Sequence, residues 1–153
     1  MTQGALVDTG ILVGALNRRD SLHAPALAIV RAIDDGKLGR AIVTDFVLAE
    51  TLNYVNRKVD GDLARETLRR LLDSAHFVIE RTPDTVWNKA RDVVFPRYGH
   101  LSFTDALVVA HLSQRGLRRL FSFDSGFDAV RGIERLAALP AKTGPRRGNR
   151  PSR

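Results

Sequence analysis

Apolar residues along the chain follow two alternating rhythms. Short unbroken runs at residues 4–7, 41–43, 77–79 and 120–123 have the length and composition of buried strands, and residues 133–136 add a short fifth. Between them the spacing changes to that of a helix. Ile11, Leu12 and Leu16 form one such stripe. Leu22, Ala26, Ile29 and Ile33 form the next, with Pro25 tolerable in its first turn. Leu48, Leu52 and Val55 follow, then Leu63, Leu68, Leu71 and Leu72, expected to face inward together. Val86, Ala90 and Val94 mark a helix after Pro83, and Phe103, Leu107 and Ala110 mark one that stops near Gly116. Thr44 or Asp45 can cap the third stripe, and Gly61-Asp62 opens the fourth. Strands alternating with helices, often two per crossover, predict an α/β fold: a three-layer α/β/α arrangement around a central parallel sheet of four to five strands.

No repeat or internal linker breaks residues 1–139, which read as one domain. The chain has 153 residues and is 44% hydrophobic, enough to bury roughly 70% of its unfolded surface. Without cysteine, it has no disulfide, no zinc ribbon and no thiol nucleophile. The apolar stretch at residues 5–16 is broken by Asp8, is too short for a bilayer span and lacks a basic flank. A cytoplasmic protein with no membrane partner is expected. The formal charge is +7, but residues 140–153 hold Lys142, Arg146, Arg147, Arg150 and Arg153 and no acid, leaving +2 on residues 1–139. That Pro- and Gly-rich tail is expected to be disordered. A solvated segment without a specific role is favoured for it over an arm for nucleic-acid phosphates.

Four acids, Asp8, Glu50, Asp105 and Asp124, sit where a strand ends or a helix begins. Each has an ordinary explanation. Asp8 suits a helix N-cap, and Glu50 a salt bridge to an arginine. Asp105 completes a capping box with Ser102. Asp124 suits a turn, and Asp128 competes with it for any chemical role. Asp45 and Asp62 read as caps. The joint pattern says more, because ligands of such folds lie outside the carboxyl ends of the strands, where these four acids would meet. At an effective dielectric of ~20, two unit charges ~4 Å apart repel by roughly 4 kcal/mol. A cluster of carboxylates therefore calls for a cation, and oxygen-only donors select Mg²⁺ or Mn²⁺. His23, His76, His100 and His111 are scattered, with no zinc-hydrolase spacing. Phosphate-binding glycine loops and the G-x-S-x-G elbow are absent. An aspartyl-phosphate phosphatase would want a second Asp two residues after Asp8, where Gly10 stands.

Four segments then carry a resemblance: ALVDTGILVGALN from Ala5, TDFVLAETLNYV from Thr44, LSFTDALVVA from Leu101 and LFSFDSGFD from Leu120. Asp20 to His23 with Ala26 adds a helix entry of the same kind. Over residues 5–137 the sequence resembles a PIN domain, specifically the toxin of a VapBC toxin–antitoxin pair. The resemblance implies an endoribonuclease that leaves 5′-phosphate and 3′-hydroxyl ends, using Mg²⁺ or Mn²⁺. Asp8 and Asp105 would bind metal directly, Glu50 would position metal or water, and Asp124 would bind a second ion or a metal-bound water. The hydroxyls of Thr104 and Ser122 would support them. Ser125 and Gly126 depart from the charge common at their positions, which keeps Asp128 in view. The resemblance also implies an RNA substrate, a VapB-like antitoxin whose C-terminal segment crosses the toxin, and a homodimer. Arg65, Arg69 and Arg70 offer one basic helix face, read first as ordinary solvated surface. Two alternatives keep the fold: a PIN nuclease in RNA processing without an antitoxin, and a non-catalytic RNA-binding module.

Overall fold

The computed structural model describes residues 4–141. The strand-like runs form β1 (Ala5–Val7), β2 (Ala41–Thr44), β3 (Phe77–Glu80), β4 (Arg119–Phe121) and β5 (Glu134–Leu136). They make one sheet in the order β3-β2-β1-β4-β5, and every pairing is parallel. Helices cover it in three layers: α1 (Thr9–Leu16), α2 (His23–Asp34), α3 (Asp45–Lys58) and α4 (Gly61–Asp73), then α5 (Asp84–Lys89) and α7 (Phe103–Arg115). Between the last two, α5 runs through a π turn (Ala90–Val94) into α6 (Phe95–Arg97). Pro96 supplies a reason for the π turn, since its ring crowds the carbonyl one turn back in an ordinary helix.

The core follows from the strands being apolar on both faces. Leu6, Val7, Val43, Leu120 and Phe121 are buried against Ile11, Ile29, Ile33, Ala106 and Ala110 from the helices. No described helix is long and apolar enough to cross a membrane. The expected α/β class, the parallel sheet and the five strands are all present, with local differences: Leu22, expected in the stripe of the second helix, caps α2 from outside and is 42% exposed.

The buried stripe of α3 is Val47, Thr51 and Val55, not Leu48, Leu52 and Val55. Thr51 is tolerated there because its hydroxyl donates to the Val47 carbonyl at 2.8 Å. On α4 the buried residues are Ala64, Thr67 and Leu71, while Leu72 is 64% exposed. Two adjacent residues point about 100° apart on a helix, so both cannot face one layer. The caps of α3 and α4 are Thr44 and Asp60, which accept from the Val47 and Leu63 amides. Asp45 and Asp62 are first-turn residues instead. Of the proposed tail, residues 142–153 lie outside the described residues.

Gly116 ends α7 in the left-handed region, at φ 63°. A Cβ there would meet nothing within 4 Å, so the glycine is required by backbone conformation alone. Gly116→Ala is expected to lower stability by about 1 kcal/mol. Urea unfolding should show a lower midpoint with an unchanged slope.

Candidate active site

Strand order makes the site before any side chain is considered. From β1 the chain winds toward β2 and β3 on one side, and β4 and β5 lie on the other. Chain direction across the sheet therefore reverses between β1 and β4, which opens a crevice at their carboxyl ends. Asp8 leaves β1 there, and its amide still donates to the Phe121 carbonyl of β4 at 2.9 Å. Ser122 and Asp124 leave β4 at the same edge.

Hydrogen bonds tie these ends together. The Ser122 hydroxyl, fully buried, donates to Asp8 Oδ2 at 2.7 Å. Its oxygen also accepts from the Asp124 amide at 3.0 Å. Asp8 caps α1, with Oδ1 accepting from the Thr9 amide at 2.9 Å. The Thr9 hydroxyl donates to Glu50 Oε2 at 2.7 Å and so draws the exposed second turn of α3 toward the crevice. Asp105, part-buried, occupies the third position of a capping box: Oδ2 accepts from the Ser102 amide and its own amide donates to Ser102 Oγ, both at 3.1 Å. Asp124 Oδ1 accepts from the Gly126 amide at 2.8 Å.

The anticipated cap of α1, box at Ser102 and turn at Asp124 are thus all formed, and the same residues also share one edge. Burial raises the pKa of Asp8 above the ordinary Asp value. The bonds from Ser122 and the Thr9 amide offset part of this, and the like charges of Asp105 and Asp124 add to it. Among the described residues, none of the four carboxylates has a Lys, Arg or His nitrogen within salt-bridge reach, whereas Asp45 and Asp128 do. The arginine anticipated for Glu50 is therefore not found among them. Arg65, Arg69 and Arg70 pair with Asp62 and Glu66 on their own helix, as a solvated face would.

Asp128 is engaged elsewhere. Arg135 grips it with Nε on Oδ1 at 2.8 Å and its Nη2 on Oδ2 at 2.9 Å, which lowers the Asp128 pKa. Asp124 keeps one oxygen outside the intraprotein hydrogen bonds and faces Asp8 electrostatically. Asp45 braces the loop after β3, accepting from the Thr82 hydroxyl at 2.6 Å and the Thr82 amide at 3.1 Å. Thr104 is part-buried in the first turn of α7, beside Asp105. Thr9 was not singled out from the sequence; its only signal there is a hydroxyl adjacent to Asp8.

The donor set suits a hard divalent ion. It is all oxygen, and at its centre is a desolvated anion pressed by two like charges. It is not a closed cage: among the described residues no three Asp, Glu or His side chains converge tightly enough to hold a metal ion by themselves. An open arrangement is what Mg²⁺ commonly uses, keeping several waters and completing its shell with substrate phosphate. A groove of about 560 Å³ between α1, α2 and α4 is lined by none of the four acids.

A family model described as "PIN domain" matches residues 5–133. The chain belongs to the PIN-domain family. A VapC ribonuclease of Archaeoglobus fulgidus is 35% identical over 126 residues, covering 80% of this chain and 78% of that protein. Ribonuclease VapC13 of Mycobacterium tuberculosis is 35% identical over 139 residues, covering 86% and 98%. Among solved structures, the M. tuberculosis toxin VapC20, described as cleaving the sarcin-ricin loop, superposes with TM-score 0.71 at 21% identity, covering 84% of this chain and 96% of that one. VapBC2 of Rickettsia felis, solved on a DNA fragment from its promoter, gives 0.65 at 14% identity, covering 88% and 98%. The last two establish the PIN fold, and the 35% relatives tie this PIN domain to the VapC ribonucleases.

Because folding raises the Asp8 pKa, native Asp8 takes up a proton more readily than unfolded Asp8. Its contribution to stability is full below the ordinary Asp value and is lost as pH rises through the raised one. Metal-free Asp8→Asn of this PIN domain should therefore be more stable than the parent at neutral pH. The advantage should shrink on acidification. Urea unfolding across that range measures the difference.

Proposed function

We propose that the protein is a metal-dependent endoribonuclease, the toxin of a type II toxin–antitoxin pair, and that Asp8, Glu50, Asp105 and Asp124 form its active site. One observation carries this. Carboxylates from four separate elements share one sheet edge with no salt bridge among the described residues, although Arg135 acts on Asp124 at longer range, in a chain 35% identical to VapC ribonucleases.

Asp8 and Asp105 would hold Mg²⁺ or Mn²⁺ directly. Such an ion, when bound, would lower the pKa of a water and neutralise charge on the phosphoryl and leaving oxygens. This chain's own groups set the geometry. Ser122 and the Thr9 amide fix the Asp8 carboxylate from two sides. The Ser102 box fixes Asp105. Thr9 holds Glu50 by Oε2 and leaves Oε1, which would position the metal or the attacking water. The free Asp124 oxygen would bind a second ion or one of its waters. Thr104, at the same helix end, would hold water or phosphate. No protein nucleophile is needed.

A groove between α1, α2 and α4 supports an antitoxin partner. Leu12, Leu16, Leu27 and Leu71 line it together with Arg18, Arg31 and Arg70 and the acids Asp34 and Glu66, which suits an amphipathic peptide. The exposed Trp87, Val93 and Phe95 beside Phe103 supply an apolar face for a second copy of the chain. The structural neighbour from Klebsiella pneumoniae is described as a toxin–antitoxin complex, which agrees with a partnered protein.

Mn²⁺ at millimolar concentration should raise the melting temperature and support RNA cleavage. Asp105→Asn should weaken the thermal shift and cut the cleavage rate by at least ~100-fold. Asp128→Asn should leave both near the parent. A melting temperature indifferent to Mn²⁺, or cleavage undiminished in Asp105→Asn, would defeat the reading.

A further inference from the structure

The turn at residues 98–101 leads directly into α7, whose first turn carries Asp105. The loop at residues 122–126 carries Asp124. Both acids repel Asp8 electrostatically, and nothing in the sheet ladder joins their two segments. A single hydrogen bond among the described residues does so. His100 Nε2 lies 2.8 Å from the Gly126 carbonyl oxygen. A carbonyl only accepts, so this nitrogen carries the proton and donates. The imidazole is steadied edge-on by the Tyr98 ring, with centroids 6.3 Å apart at 90°.

Gly126 is used at both ends. Its amide holds Asp124 Oδ1 at 2.8 Å, and its carbonyl receives His100. A Cβ here would come 3.0 Å from Asp124 Oδ1 and 3.5 Å from His100 Cδ2, so a side chain would wedge itself between the two contacts.

We propose that His100 is a positioning residue: by donating to Gly126 it cross-braces the segments bearing Asp105 and Asp124, setting the spacing of two carboxylates across the metal-binding edge. The inference rests on the function proposed above. His100 acts through Gly126 and touches no reacting atom. The two segments share the core through Leu101 and Phe127, but without the brace no hydrogen bond among the described residues sets their spacing at the edge, and an arriving cation must draw the carboxylates into place. The brace thus affects metal affinity more than the rate at saturating metal, as supporting bonds around metal ligands do.

The full chain would be compared with His100→Ala, His100→Asn and His100→Gln. Gln carries an amide donor at about the reach of Nε2, while Asn falls one methylene short. The Mn²⁺ concentration giving half the thermal shift is expected to rise about 10-fold in His100→Ala and His100→Asn, and to return to within about 3-fold of the parent in His100→Gln. Cleavage at saturating Mn²⁺ should change much less. In an Asp124→Asn background His100→Ala should add little, because the acid that the brace positions is already gone. Amide exchange at residues 123–128 of the metal-free protein should quicken in His100→Ala and not in His100→Gln.

An Mn²⁺ requirement in His100→Ala and His100→Asn equal to the parent's would overturn the proposal, as would full additivity with Asp124→Asn. If the parent itself shows no Mn²⁺ shift, the nuclease reading fails first. Amide exchange then decides the brace alone: equal rates in parent, Ala and Gln variants overturn it, and the Ala-specific acceleration supports it. If His100→Ala does not fold, the Asn and Gln pair gives the same comparison.

Discussion

A single bond, from the Ser122 hydroxyl to the Asp8 carboxylate, spans 114 positions in sequence and 2.7 Å in space. It closes the gap between the ends of β1 and β4, where the winding of the sheet reverses. The proposed site is arranged around it. Asp124 is reached through the same serine oxygen, Glu50 through the neighbouring Thr9 hydroxyl, and Asp105 through its charge on the same carboxylate. The hydroxyls matter because they place donors against anions that would otherwise face one another bare. They reduce the cost of gathering the acids without neutralising them, and burial still holds the Asp8 pKa above the ordinary Asp value.

The same edge explains why several ordinary local motifs become a site. An N-cap, a capping box and a turn each satisfy backbone amides that have no partner at an element's end. In a parallel sheet those ends share one side of the molecule, so residues doing local work are delivered to a common place. Asp105 and Asp124 each keep a second oxygen outside those bonds, while both oxygens of Asp8 accept hydrogen bonds. Acids away from that edge stay local: Asp60 caps α4, and Asp128 is taken up by Arg135.

Much of this was legible in the chain. The four segments carrying Asp8, Glu50, Asp105 and Asp124 marked the PIN family to which the chain belongs, and the alternation of periods predicted the parallel α/β sheet that the fold contains. What misled was finer. Leu72 sits beside Leu71 and looks equally apolar, yet one helix face cannot hold both. Thr51 looks like surface, yet it is buried because its hydroxyl bonds back to its own helix. The supporting contacts of Thr9 and His100 left no periodic trace, because a hydroxyl or an imidazole in a loop reads the same whether it meets solvent or a distant backbone oxygen.

Sequence alone determined which elements form and which residue types are available at their ends, because periodicity and end-capping are local properties of a few neighbouring positions. Only the tertiary structure decided which of those ends meet. It separated Asp124, left open toward Asp8, from Asp128, whose two oxygens are spent on Arg135. It also left the four carboxylates around an open edge rather than a closed cage. Electrostatic coupling and hydrogen bonding fall off within a few ångströms, and spacing along a chain says nothing about distances of that size between segments a hundred residues apart.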